Sequence, residues 1–126
     1  MRKEIDNWWK QALADLRSAG NCISSGDYYL SVFSSQQAVE KALKALCLFK
    51  LKEIPQGHSI IYLAQKIKVP KEMLSDVRDL NPEYLTTRYP DIAAGVPAEL
   101  YDSEIARKHL KTAERIIEWV KKQIQT

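Results

Sequence analysis

Glycine is scarce in this chain of 126 residues, with four glycines at positions 20, 26, 57 and 95. Their spacing matches neither a P-loop nor a dinucleotide-binding fingerprint, both of which need closely spaced glycines so that the backbone can approach phosphates. The sequence therefore lacks the two commonest phosphate-binding loops. Proline is also infrequent, with five residues, and few glycines and prolines together favour long helices.

Cysteine and histidine are equally rare, with two residues of each kind. Cys22 and Cys47 fall on apolar faces of helical patterns, which predicts small buried side chains in a reducing compartment and no disulfide. His58 and His109 have no His or Cys partner at helical spacing, so no zinc site is predicted, and His109 is expected at the edge of the core. We therefore expect no metal, no cofactor and no complete catalytic set.

Long apolar runs are absent as well. No stretch approaches the roughly 18 consecutive apolar residues of a membrane span, and the first six residues, MRKEID, lack the apolar run of a signal peptide. We therefore expect a cytoplasmic protein. The net charge of +3 permits contact with nucleotides or RNA without arguing for it, and the length fits a single domain over residues 1–126.

What the sequence contains is apolar residues at helical spacing. The pattern predicts helices over about residues 3–24, 27–51, 60–67, 71–80 and 101–124, with Asp27 as an N-cap and His58-Ser59 capping the third. Asn81-Pro82 is expected to kink the fourth helix or restart it, and residues 92–98 are expected to form an irregular loop. Because amphipathic helices cannot bury their apolar stripes singly, we predict an all-α fold, an up-and-down bundle of four to five antiparallel helices.

The second predicted helix has polar residues on its apolar side. Gln36 and Glu40 lie there, and such side chains are rarely buried without partners, so we expect either a cleft or a second chain at this point. The helix also carries apolar or aromatic residues over much of its circumference, including Tyr28, Tyr29, Leu48 and Phe49. One small bundle is not expected to hide all of these, which predicts a homodimer.

Residues 36–46, QQAVEKALKAL, resemble the second helix of HEPN (higher eukaryote and prokaryote nucleotide-binding) domains. The likeness continues with His58 after a short loop, with RYPD over 88–91 and with AERIIEWV over 113–120 of the last helix. Its order and spacing cover nearly the whole chain. The resemblance implies an up-and-down bundle of four or five helices, commonly a homodimer. Prokaryotic members are often encoded beside a minimal nucleotidyltransferase as a toxin–antitoxin-like pair.

Many HEPN proteins are ribonucleases, and those carry an Arg followed after four to six residues by a His. That pair is missing here. For His109 the Arg would stand at 102–104, where the sequence has Asp, Ser and Glu; for His58 it would stand at 51–53, where the sequence has Leu, Lys and Glu. Arg88 is followed at the matching positions 93–95 by Ala, Ala and Gly. This departure argues against the family's ribonuclease chemistry, because that motif supplies a general base beside a cation.

Helical geometry and the resemblance together single out six candidate residues for a nucleotide- or partner-binding site: Glu40, Lys44, His58, Arg88, Tyr89 and Asp91. In a functional interpretation, Arg88 and Lys44 meet phosphate oxygens while Tyr89 or His58 lies beside a base. In a structural interpretation, Glu40 pairs with Lys44 one turn away, and Arg88 pairs with Asp91 or Glu40. Either way, Glu40 and Arg88 are expected to converge on one polar recess.

Three functions remain open from the sequence. The first is a non-enzymatic HEPN module that binds a nucleotide or a minimal nucleotidyltransferase within a toxin–antitoxin-like pair. The second is an RNA-binding or RNA-cleaving toxin with a non-standard site around Arg88 and His58. The third is a structural dimerisation bundle without a ligand.

Overall fold

The computed structural model describes residues 2–125, and within them the chain is all-helical. Its helical segments are α1 (Lys3–Ser25), α2 (Tyr28–Leu51), α3 (Ile60–Lys66), α4 (Lys71–Leu80), α5 (Glu83–Thr86), α6 (Pro90–Ala93), α7 (Pro97–Leu100) and α8 (Ser103–Gln125). The predicted all-α bundle is confirmed. No helix in this part of the chain is long and apolar enough to cross a membrane.

Helices α1 and α2 form an antiparallel hairpin. The tight turn between them uses Gly26 at φ +82°, a conformation that suits a residue without Cβ. At the turn end of the hairpin the Ser31 hydroxyl donates to the Ala19 carbonyl over 2.8 Å. At the opposite end Ile5 packs with Ala45 and Leu48. Helices α1 and α2 are thus in contact along most of their length.

Helix α8 completes the core against α2. Ile116, Val120 and their neighbours pack against Leu43 and Leu46, and the C-terminal ends of the two helices meet where Lys50 Nζ donates to Gln123 Oε1. The α3–α4 pair closes the remaining side with Ile60, Leu63, Val77 and Leu80, which are fully or almost fully buried. Cys47 is buried as predicted, and burial raises the pKa of its thiol to about 11. Cys22 is half-buried, and both cysteines are free.

The predicted boundaries of the main helices agree with the structure to within one or two residues. Two caps differ. Asp27 precedes α2, but its side chain does not cap the helix and instead accepts a hydrogen bond from the Ser25 hydroxyl over 2.7 Å. The cap of α3 is Ser59 alone, whose hydroxyl oxygen accepts from the Tyr62 backbone N–H over 3.2 Å.

The stretch between α4 and α8 is more ordered than expected. After α4 the chain restarts as α5, which is one of the two outcomes predicted for Asn81-Pro82. The prediction of an irregular loop over 92–98 is wrong in part, because single helical turns occupy Pro90–Ala93 and Pro97–Leu100. Each turn begins with a proline, whose fixed φ suits the first helical position.

Candidate functional site

The Glu40 carboxylate lies inside the protein, with Glu40 only 4% exposed. Lys44 Nζ donates to its Oε2 over 3.2 Å, and His58 Nδ1 lies 3.1 Å and 3.2 Å from Oε2 and Oε1. The side-chain amides of Gln37 and Gln36 donate to Oε1 over 3.4 Å and 3.5 Å. Residues of the same chain therefore satisfy this buried charge, so neither an open cleft nor a second chain is needed to explain it.

Lys44 supports Glu40 from within the core. It is 7% exposed, and its ammonium lies 5.6 Å from the centre of the Trp8 ring in addition to its contact with Glu40. The structural interpretation of Glu40 and Lys44 as a pair one turn apart is confirmed. The functional interpretation of Lys44 as a phosphate contact is wrong for this conformation, because the ammonium is covered on the protein side by Glu40 and Trp8.

His58 connects this buried pair to the surface. An ionised carboxylate only accepts hydrogen bonds, so His58 donates its Nδ1–H to Glu40. The imidazole stacks on the ring of Tyr84, with centroids 4.1 Å apart and planes inclined by 13°. Its side chain is 50% exposed, and Nε2 has no hydrogen-bond partner in the described part of the chain. Glu40 and Tyr84 thus fix the orientation of the imidazole, while Nε2 can still form a hydrogen bond with a ligand.

Arg88 lies among three aromatic rings. Its Cζ is 4.3 Å from the ring centre of Tyr84, 4.9 Å from that of Tyr89 and 5.1 Å from that of Phe33. Its Nε donates to the Tyr84 carbonyl over 2.9 Å. The predicted pairing of Arg88 with Asp91 or Glu40 is therefore wrong, because Arg88 follows Tyr84 by four residues and its side chain folds back over that residue.

Glu40 and Arg88 approach the same cluster without touching each other. The connection runs from Glu40 to the imidazole of His58, from that ring to Tyr84, and from Tyr84 to Arg88. We call the last three residues the His58–Tyr84–Arg88 cluster. Tyr89 is exposed beside Arg88, whereas Asp91 is exposed and makes no hydrogen bond or ion pair with the residues that the structure describes.

Sequence reasoning missed Tyr84, the residue at the centre of the cluster. The available signal was its position four residues before Arg88, a spacing that places two side chains on one helical face. It also missed Phe33 as a wall for Arg88, and no local pattern relates those two residues. His109 was interpreted correctly: it is half-buried, and its Nδ1 lies 2.9 Å from the Ile105 carbonyl oxygen.

A recess of about 280 Å³ opens beside His58. Its lining consists of His58, Ser59, Asn81, Pro82, Tyr84 and Leu85. It thus lies between the N-terminal end of α3 and the turn that joins α4 to α5. Among residues 2–125 no three His, Cys, Asp or Glu side chains converge as metal ligands. The groups that the site presents are the Arg88 cation, the oriented imidazole of His58, the half-buried ring of Tyr84 and the exposed ring of Tyr89.

The structure is thus an all-helical module with this cluster beside its second helix. The chain belongs to the HEPN domain family, whose model matches residues 5–123. A relative from Methanocaldococcus jannaschii, MJ1304, which is named as a candidate toxin, is 31% identical over 125 residues; the match covers 89% of this chain and 82% of that protein.

Solved structures show the same fold. TT1696 from Thermus thermophilus is 34% identical with a TM-score of 0.89, and the match covers 97% of this chain and 99% of that chain. ST0689, an archaeal HEPN homologue, is 39% identical with a TM-score of 0.85 and coverage of 98% and 99%. The HEPN domain protein tm0613 from Thermotoga maritima is 25% identical with a TM-score of 0.75 and coverage of 94% and 98%.

Proposed function

We propose that this chain is the HEPN component of a toxin–antitoxin-like pair and that it binds nucleotides or RNA at the His58–Tyr84–Arg88 cluster. The relative named as a candidate toxin supports membership of such a pair. The family resemblance implies a minimal nucleotidyltransferase as the second protein. In this proposal residues 1–126 act as one cytoplasmic HEPN unit.

The observation that carries the binding proposal is the exposed Arg88 guanidinium held against aromatic rings. Its Nε donates a hydrogen bond to the Tyr84 carbonyl, whereas its terminal nitrogens make no hydrogen bond with the described residues. Guanidinium groups bind phosphate oxygens through such N–H pairs. The exposed ring of Tyr89 next to this cation also suits the stacking of bases in single strands. In this proposal Tyr89 and Asp91 lie at the edge of the binding site. Glu40, which is paired with Lys44, fixes His58 through its hydrogen bond to Nδ1.

Titration of ATP and GTP tests this proposal, followed by intrinsic tryptophan fluorescence and by calorimetry. Replacing Arg88→Ala removes the charged donor and should weaken binding about tenfold or more, as expected for the loss of one charge-assisted hydrogen bond. The matched control is Arg78→Ala, which removes an exposed arginine of α4 that has no ion pair among the described residues. If wild-type protein gives neither heat nor a fluorescence change, nucleotide binding is refuted and the structural bundle is favoured.

RNA cleavage is a second candidate function, favoured by the contact between Glu40 and His58. In the neutral ring, donation from Nδ1 to the carboxylate places the lone pair on Nε2, which is how a general-base histidine is commonly oriented. Such a base would take the proton of a 2′-hydroxyl while the 2′-oxygen displaces the 5′-oxygen at phosphorus, and the departing oxygen would take a proton from water.

Incubation of purified protein with total RNA separates the two candidates. RNA cleavage that is lost in both His58→Ala and Arg88→Ala, and kept in Arg78→Ala, would establish the second candidate and overturn our ranking. RNA that stays intact with wild-type protein, together with measurable nucleotide binding, supports the binding module alone.

A further inference from the structure

The recess beside His58 contains an amide group whose orientation is set by the backbone. Asn81 Oδ1 accepts from the Ile60 N–H over 2.9 Å and from the Ile61 N–H over 3.4 Å. Because an N–H cannot donate to an amide nitrogen, these two bonds identify which atom is the oxygen and leave Nδ2 on the other side. Nδ2 has no partner in the described part of the chain and is not buried. Asn81 is one of the residues that line the recess, and its two free N–H donors are therefore candidates to meet a ligand there.

Two further polar groups line the same recess. The Ser59 oxygen accepts from the Tyr62 N–H, but its own hydroxyl hydrogen has no acceptor among the described residues. Nε2 of His58 is likewise without a partner there. The polar part of the recess thus combines free donors from Asn81 and Ser59 with an imidazole nitrogen.

The remaining walls are apolar and suit a flat ring. Pro82 and Tyr84 line the recess together with Leu85, which is 43% exposed. A recess of about 280 Å³ is at or below the lower limit of roughly 300 Å³ for pockets that hold drug-sized molecules. It therefore has room for a single base rather than for a whole nucleoside triphosphate.

We propose that this recess receives the base of the nucleotide or RNA residue whose phosphate contacts Arg88, and that it prefers guanine and uracil to adenine. This inference rests on the proposed function. Guanine presents O6 and N7 as neighbouring acceptors, and uracil presents carbonyl oxygens, so both match the N–H and O–H donors. Adenine presents the same N7 acceptor but has an amino group where guanine has O6, so one N–H or O–H donor of the recess would face an N–H and lose its bond.

Asn81 also lacks the means by which asparagine usually recognises adenine. That recognition is bidentate: the amide nitrogen donates to N7 while the amide oxygen accepts from the amino group. Here the oxygen is already used by the Ile60 and Ile61 N–H groups. The backbone of α3 thus turns Asn81 into a donor only, and this is the physical basis of the predicted preference.

Titration of GMP, UMP and AMP with the full chain tests the proposal. Wild-type protein should bind GMP and UMP about tenfold more tightly than AMP, in line with one discriminating hydrogen-bonded pair. Asn81→Asp keeps an oxygen for the Ile60 and Ile61 N–H groups but removes the free donors, so this preference should disappear. Asn21→Asp is the matched control, because it introduces the same charge at an exposed position of α1 and should keep the preference.

Failure of nucleotide binding and failure of the base preference give different results. If no nucleotide binds to wild-type protein, the proposed function fails. If all three bind equally, Arg88→Ala weakens all of them, and Asn81→Asp behaves like Asn21→Asp, only the base preference is overturned. Should Asn81→Asp not fold, Leu85→Trp serves instead. It fills the recess from an exposed position and should weaken GMP and UMP binding at least as much as AMP binding; unchanged GMP and UMP affinities would overturn the inference.

Discussion

Glu40 and Lys44 form a charged pair that the bundle keeps almost completely from solvent. Helical spacing brings the two together, and His58 and the neighbouring glutamines satisfy the remaining lone pairs of the carboxylate. Buried pairs of this kind add little net stability compared with apolar residues, yet removing one partner is costly because the other charge is left uncompensated. The pair also orients His58, so its stability and the geometry of the site depend on each other.

The first prediction concerns this carboxylate. Glu40→Gln leaves the Lys44 ammonium buried without a counter-charge, and the free energy of unfolding should fall by about 3 kcal/mol. Urea unfolding followed by circular dichroism measures the change. Glu114→Gln, at an exposed position of α8, is the matched control and should alter the stability by less than about 0.5 kcal/mol.

A double variant isolates the charge as the cause. In Glu40→Gln/Lys44→Met both charges are gone while the long side chain beside Trp8 is retained, so most of the lost stability should return. An unfolding curve for Glu40→Gln that coincides with that of the wild type would show that the pair is not buried in solution as it is in the structure.

At the scale of elements, the site depends on a helix too short to be stable alone. Helix α5 has four residues, and a single turn gains too few hydrogen bonds to offset the loss of backbone entropy. Side-chain hydrogen bonds hold it instead, one from the distant Tyr101 and one from the neighbouring Thr87. The Tyr101 hydroxyl donates to Glu83 Oε2 over 2.5 Å, and the Thr87 hydroxyl donates to the Glu83 carbonyl over 2.6 Å. Because α5 carries Tyr84, these contacts position the His58–Tyr84–Arg88 cluster.

The second prediction concerns the bond between Tyr101 and Glu83. Tyr101→Phe removes it and should lower the free energy of unfolding by about 1.5 to 3 kcal/mol, the range for hydrogen bonds to charged groups. Thermal and urea unfolding at pH 7 measure this loss. Tyr62→Phe changes an exposed tyrosine whose hydroxyl has no hydrogen bond to the described residues, and it should leave the stability unchanged.

The same tyrosine should contribute to the pH dependence of stability. Burial, together with the hydrogen bond to Glu83, raises the pKa of the Tyr101 hydroxyl above its ordinary value of 10.0. Above pH 10 the unfolded chain therefore loses this proton while the folded protein keeps it, so the free energy of unfolding decreases as the pH rises. The decline between pH 10 and pH 11 should be shallower in Tyr101→Phe, and equal slopes in the two proteins would contradict this account.

At the scale of the whole molecule, the structure changes which apolar surface a homodimer would be expected to bury. Leu48 is buried within its own chain, and Tyr28, Tyr29 and Phe49 are half-buried. The more exposed apolar side chains are Ile92 and Val96, both 52% exposed, and Leu100. If the protein is a homodimer, as the sequence predicts, we propose that residues 92–100, which include the end of α6 and all of α7, are the surface best suited to be covered.

The third prediction tests that surface. Ile92→Asp introduces a charge on this surface and should convert a dimer into a monomer, because a buried unpaired carboxylate is strongly disfavoured. Sedimentation velocity at micromolar concentration measures the change. Leu51→Asp, at an exposed leucine of α2, is the control and should remain dimeric. A wild-type protein that sediments as a monomer would refute the dimer itself.

Much of the fold followed from local patterns in the sequence. The boundaries of α4, the serine that caps α3 and the pairing of Glu40 with Lys44 all depend on residues within one or two helical turns of each other. Apolar periodicity also predicted the all-α bundle, and the run over residues 36–46 indicated the HEPN family that the family model confirms. These features are accessible from sequence because periodicity and capping act over short distances along the chain.

Only the tertiary structure decided how the polar residues are used. His58 reaches Glu40 across 18 positions in the sequence, and Asn81 reaches the backbone of Ile60 across 21. Phe33 becomes a wall for Arg88, and Lys44 becomes a buried support instead of a phosphate contact. Helical periodicity predicts which face of a helix a residue occupies, but it does not predict which distant segment of the chain packs against that face. That choice is made by the packing of the whole bundle, and it determines which charges remain free to bind.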